Sequence, residues 1–132
     1  MPHRHEDWLA QARRDLKAAR DNLAAHDYDW CSYQCQQSAE KAIKALLRFH
    51  GNEKRGHDLL KLIRELKQIA SAPDNVADAS RRLNKQFFRS RYPDSITEGY
   101  PAEFYDEKIA QECIQDAETI LAFVEANIPR LS

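Results

Sequence analysis

A chain of 132 residues with 42% hydrophobic and 31% charged residues is long enough for one packed core, and its three glycines are too few for a turn-rich β fold. The formal net charge of -1 conceals a split: Arg81 to Arg91 holds five basic residues and no acid, whereas Glu98 to Glu125 holds eight acids against Lys108 alone. One part of the surface is thereby set to attract phosphate or an acidic partner and another to repel it.

The apolar positions Trp8, Leu9, Ala12, Leu16, Ala19 and Leu23 recur three and four apart and predict a first helix from about Asp7 to Ala25, with Arg13, Arg14, Lys17 and Asp21 off the buried stripe. The segment H-D-Y-D, His26 to Asp29, breaks that pattern and predicts an antiparallel return. The second helix, Trp30 to Gly51, has the strongest periodicity in the chain. Cys35, Ala39, Ala42, Ile43, Leu46 and Leu47 form its inward seam, and Gln34, Gln37, Lys41, Lys44 and Arg48 fall on the other face. Asp27 or Asp29 suits its start, and Gly51 suits the left-handed residue just past its end.

A polar loop, N-E-K-R-G-H, leads to Asp58 as the cap of a third helix carrying Leu59, Leu62, Ile63, Leu66 and Ile69, ended by Ala72-Pro73. A fourth helix is expected from about Asp74 to Ser90, with Val76, Ala79, Leu83 and Phe87 inward and Arg81, Arg82, Lys85 and Arg89 outside that stripe. Pro93 and Pro101 push Tyr92 and Tyr100 out of helical geometry, so R-Y-P-D-S-I-T-E-G-Y-P is expected as an ordered loop. The last helix, from near Glu103, places Ile109, Cys113, Ala117, Ile120, Leu121 and Val124 inward. No β period, internal repeat or low-complexity tract is present. The fold class is therefore all-α, an antiparallel up-and-down bundle of four to five helices, with residues 1–132 as a single domain.

No stretch approaches about 18 apolar residues, and the start, M-P-H-R-H-E-D-W, lacks the apolar run of a signal peptide; a cytoplasmic protein without membrane contact is expected. Three cysteines, Cys31, Cys35 and Cys113, with no C-x-x-C pair, point to reduced thiols rather than a disulfide framework. Cys31 and Cys35 lie one helical turn apart, yet no second ligand pair matches them, and no metal or other cofactor is implied. The chain has no G-x-x-x-x-G-K-S/T loop, no G-x-S-x-G elbow and no Glu-x-x-His pair.

The chemistry-bearing candidates gather near the fourth helix and its loop. Arg89 and Arg91 can grip phosphate in bidentate fashion, with Lys85 one turn earlier and Asp94 beside them; equally, Arg91 can tie the loop through Asp94 or a loop carbonyl. Tyr92 and Tyr100 suit either stacking on a base or anchoring the loop. Lys41, Lys44 and Arg48 form a second basic row that reads as a solvated face unless it meets the loop arginines across a dimer interface. His57 is placed for capping or packing at the third helix. Leu47, Phe49 and Phe88 leave apolar surface to bury against a second copy.

Q-Q-S-A-E-K-A-I-K-A-L-L with its terminal Gly51, then H-D-L-L-K-L-I, then R-Y-P-D, resemble in order and spacing the HEPN domain, a small helical module. The resemblance covers nearly the whole chain. It implies an up-and-down bundle that pairs as a homodimer, binds nucleotide or RNA phosphate, and works beside a minimal nucleotidyltransferase in a toxin-antitoxin arrangement. The family's ribonuclease branch carries Arg, four to six residues, then His, late in the bundle. Here the last histidine is His57, and the one such spacing, Arg20 to His26, lies at the end of the first helix. The sequence therefore favours a noncatalytic binding module. A metal-independent endoribonuclease with an altered site around Arg91 and His57, and a purely structural interaction module, remain as alternatives.

Overall fold

A computed structural model describes residues 4–129. Helix α1 (Arg4–Ala24) buries Leu9, Ala12, Leu16 and Ala19, the spacing of a single helical face. The chain then reverses in three residues. His26 takes a left-handed φ of 66° there, a conformation uncommon outside glycine, and its ring stacks on Tyr28.

Helix α2 (Tyr28–Phe49) starts two residues earlier than the periodicity indicates, and Asp27 occupies its N-cap position without a side-chain hydrogen bond. Its end is a Schellman motif: Gly51, at φ 81°, donates to the Arg48 carbonyl and Asn52 to that of Leu47. This helix is the axis of the bundle, packed against α1 and α7 and also touching α3, α4 and α5. Its burial is wider than one seam, because Ser32, Gln36, Ser38, Glu40 and Lys44 are buried along with the apolar positions. Each of these polar groups has a local partner, as buried polar groups require: Ser38 Oγ donates to the Ala12 carbonyl at 2.7 Å and Ser32 Oγ to that of Tyr28 at 2.8 Å.

Helix α3 (Leu59–Lys67) is capped by Asp58, whose carboxylate accepts from the Leu60 amide at 3.0 Å. It ends before Ile69, which leaves the inward stripe and is exposed. The expected fourth helix is broken. Helix α4 (Asp74–Asn84) stops where the Asn84 side chain accepts from the Leu59 amide and donates to Asp58, tying it to the start of α3; the chain turns at Lys85 and continues as the one-turn helix α5 (Gln86–Arg89). Phe87, expected inward with Leu83, is only half-buried.

The segment from Arg91 to Tyr100 is irregular apart from a 3-10 turn at Pro93–Ser95. Its far end is fixed by Gly99, at φ 83°, and by a capping box in which the Tyr100 amide donates to Glu103. The last helix is also divided. Helix α6 (Pro101–Phe104) ends at an extended Tyr105, and α7 (Glu107–Asn127) starts afresh with Asp106 accepting from the Ile109 amide at 2.9 Å. Three of the acids in the late acidic stretch are neutralised across the bundle, Glu118 by Arg20, Glu125 by Arg13 and Asp116 by Arg82. Among the described residues there is no strand, and no helix is long and apolar enough to cross a membrane.

Candidate functional site

The basic run divides into two faces at the end of α5. On one, Arg91 leaves the end of α5 and lays its guanidinium among three rings, 4.2 Å from the Tyr33 centroid, 4.7 Å from that of Tyr92 and 4.8 Å from that of Phe87. Its Nε donates to the Phe87 carbonyl at 3.0 Å. The two terminal nitrogens, the fork that grips phosphate, have no protein partner among the described residues. No ion pair joins Arg91 to Asp94, which is exposed on the loop, so the tie runs to a helix carbonyl instead.

The rings continue outward. Trp30 meets Tyr33, Tyr33 meets Phe87, Phe87 meets Phe88, and Phe88 meets Tyr92 at centroid separations of 5.9, 6.2, 4.7 and 6.0 Å. Trp30, Phe88 and Tyr92 are exposed, giving an aromatic ribbon with Arg91 at its middle. Tyr100 is exposed at the loop's far end and takes part in the capping box.

His57 reaches the same cluster from the start of α3. Its ring stacks on Phe87 at 4.4 Å, and its Nδ1 lies 2.9 Å from the Glu40 carboxylate. With Nδ1 donating to that carboxylate, Nε2 is turned outward on a side chain 57% exposed. Glu40 itself is only 3% exposed, and its other oxygen pairs with Lys44 at 3.0 Å, while Gln36 donates both to Glu40 and to the His57 carbonyl. The spacing of Gln36, Glu40 and Lys44 along one line of α2 was readable in the sequence, but nothing there placed His57 above it.

The second basic row is therefore not a solvated face. Lys44 is 5% exposed and committed to Glu40, Lys41 pairs with Asp15 at 2.6 Å, and Arg48 lies 4.5 Å over the Trp8 ring with its Nε buried and without a hydrogen-bond partner. None of the three joins Arg91.

Lys85 and Arg89 turn to the opposite side of α5, into a cleft of about 220 Å³ against α6 and α7. There the Tyr105 hydroxyl donates to Gln86 Oε1, and Arg82 is held by Asp116 through bonds of 2.8 and 3.0 Å. Burial pushes the Tyr105 hydroxyl well above its ordinary value and the Cys113 thiol up to about 12, so both stay protonated at neutral pH. Cys31, Cys35 and Cys113 are free and buried. No group of three or more His, Cys, Asp or Glu is placed to share a metal among the described residues.

A family model described as HEPN domain matches residues 5–127. The crystal structure of TT1696 from Thermus thermophilus superposes with a TM-score of 0.92 at 36% identity, covering 96% of this chain and 99% of that one. That of ST0689, an archaeal HEPN homologue, gives 0.81 at 42% identity over 95% and 98%. In sequence, the chain is 28% identical over 127 residues to a Methanocaldococcus jannaschii protein named "Putative toxin MJ1304", covering 89% of this chain and 84% of that protein.

Proposed function

The chain belongs to the HEPN domain family, and from that premise we propose that it is a cytoplasmic, homodimeric protein of a toxin-antitoxin pair, which binds the phosphate of a nucleotide or RNA through Arg91 and acts with a nucleotidyltransferase partner. The observation that carries the reading is the unpartnered guanidinium fork of Arg91, held by rings on a face that also offers flat aromatic surface for a base. The relative named as a toxin supports the biological setting. Tyr92 contributes a stacking ring, and Asp94 lies at the rim of the same face.

Arg91→Ala is expected to weaken binding of a single-stranded oligoribonucleotide by about 10- to 100-fold, the range for a lost charge-assisted contact, measured by calorimetry at two salt concentrations. Asp94→Ala should leave melting within about 0.5 kcal/mol, since it carries no ion pair. Unchanged affinity in Arg91→Ala would remove the phosphate reading. Sedimentation should give about twice 15.3 kDa, with Phe88 in the interface's apolar part; a monomer at concentrations on the order of tens of micromolar would refute the dimer.

One observation favours a second reading, metal-independent ribonuclease action. A carboxylate that orients an imidazole, with the second ring nitrogen open to solvent one ring away from an arginine, has the parts of a general base beside a phosphate grip. If this is its role, cleavage of RNA persists with chelator and disappears in His57→Ala. Absence of cleavage in the parent protein leaves the binding module.

A further inference from the structure

We infer that the cleft between α4–α5 and α6–α7 is a pocket for a small phosphomonoester that also bears a hydrogen-bond donor, separate from the Arg91 face. The first ground is which cations are left over. Of the five basic residues between Arg81 and Arg91, Arg81 pairs with Asp78, Arg82 pairs with Asp116 and Arg91 lies among rings. Lys85 and Arg89 have no side-chain hydrogen bond or ion pair among the described residues, and both line this one cleft. Two adjacent unpaired cations match the two charges that a phosphomonoester carries at neutral pH better than the single charge of a diester.

The second ground is an amide donor on the cleft wall. Gln86 is 4% exposed and lines the cleft; its carbonyl oxygen is taken by the Tyr105 hydroxyl, while its amide nitrogen has no protein partner among the described residues. With its acceptor used inside the protein, this amide presents its N–H donor to the cleft, where an anionic oxygen between Lys85 and Arg89 can accept from it. The third ground is the opposite wall. Glu112 lies there without an ion pair, and it repels a bare anion unless the ligand brings an N–H or O–H to it, while Phe104 supplies an exposed apolar edge. A volume of about 220 Å³ is below the usual range for drug-sized ligands, so the ligand is small or is one end of a larger molecule.

The test is a titration of the full chain with O-phosphoethanolamine, followed through the backbone amide signals of Gln86 and Tyr105. Saturable shifts are expected, weakened about 10- to 100-fold in Lys85→Ala and in Arg89→Ala. Glu112→Gln should weaken phosphoethanolamine but not ethyl phosphate, and dimethyl phosphate should not compete. Competition by a 5′-phosphorylated oligoribonucleotide, but not by its unphosphorylated counterpart, assigns the monoester to a chain end; without that competition it is a free small molecule. Arg91→Ala should leave these shifts unchanged, so failure here and failure of the Arg91 reading are separate results. No saturable shift at millimolar phosphoethanolamine, or shifts that survive the Lys85→Ala/Arg89→Ala double variant, would overturn the pocket.

Discussion

Glu40→Ala is expected to destabilise the fold by about 3 to 5 kcal/mol, the largest effect of any single polar substitution in this chain. Glu40 and Lys44 are 3% and 5% exposed, and each supplies the other's counter-charge at 3.0 Å. Removing the carboxylate strands an ammonium in the bundle axis, with only the Trp8 ring 5.5 Å away, and frees His57 and the Gln36 amide from their shared acceptor. The cost comes from the uncompensated charge, not from the worth of the pair. The double variant Glu40→Leu/Lys44→Met should therefore regain most of the loss, since apolar replacement of a buried pair is often neutral or stabilising. Denaturant unfolding of the three proteins checks this; a double variant as unstable as Glu40→Ala would show that the network as a whole, including His57, holds the helices in place.

Leu47→Ala is expected to cost about 2 to 5 kcal/mol, whereas Phe88→Ala should leave monomer stability within about 0.5 kcal/mol and act on assembly. Sequence periodicity allows Leu47 on the inward seam or among apolar residues left for a partner. It is fully buried, on a helix surrounded by others, and its truncation opens a cavity where little can relax. Phe88 is 60% exposed in the middle of the aromatic ribbon. Melting curves and sedimentation of both variants separate the roles: Leu47→Ala should melt lower, and Phe88→Ala should sediment more slowly at low concentration. The reverse pattern would move the assembly surface away from Phe88.

The helices were legible where one face is apolar and the end carries its own signal. Gly51 and Asp58 did what their residue types allow, because a left-handed C-terminus and a carboxylate cap are local devices. Breaks caused by distant partners were not legible. Nothing near Asn84 in the sequence says that its amide serves the start of α3, and nothing near Tyr105 says that its hydroxyl goes to Gln86. Asp106 was a readable cap before E-K-I, hidden by the continuing apolar period. For the site, residue types pointed to Arg89, Arg91 and Lys85 as one grip. Lys85 and Arg89 lie one helical turn apart and line one cleft, whereas Arg91, two residues on and past the end of α5, goes to the rings on the other side. Lys44 misled because a lysine in line with polar neighbours reads as solvent-facing, whereas here it is buried against Glu40 and beside the Trp8 ring of α1.

Gly99 gives the long loop an unequal tolerance to change. A Cβ at this position would fall 2.6 Å from Glu103 Oε1, the oxygen that accepts from the Tyr100 amide, in a backbone conformation that side chains rarely adopt. Residues 94 to 98 are mostly exposed, and apart from Ser95, whose hydroxyl donates to the Tyr92 carbonyl at 2.6 Å, their side chains do little for the packing. Over many generations, drift can rewrite what most of those residues present to solvent while the single glycine keeps the entry to α6 and α7 in register.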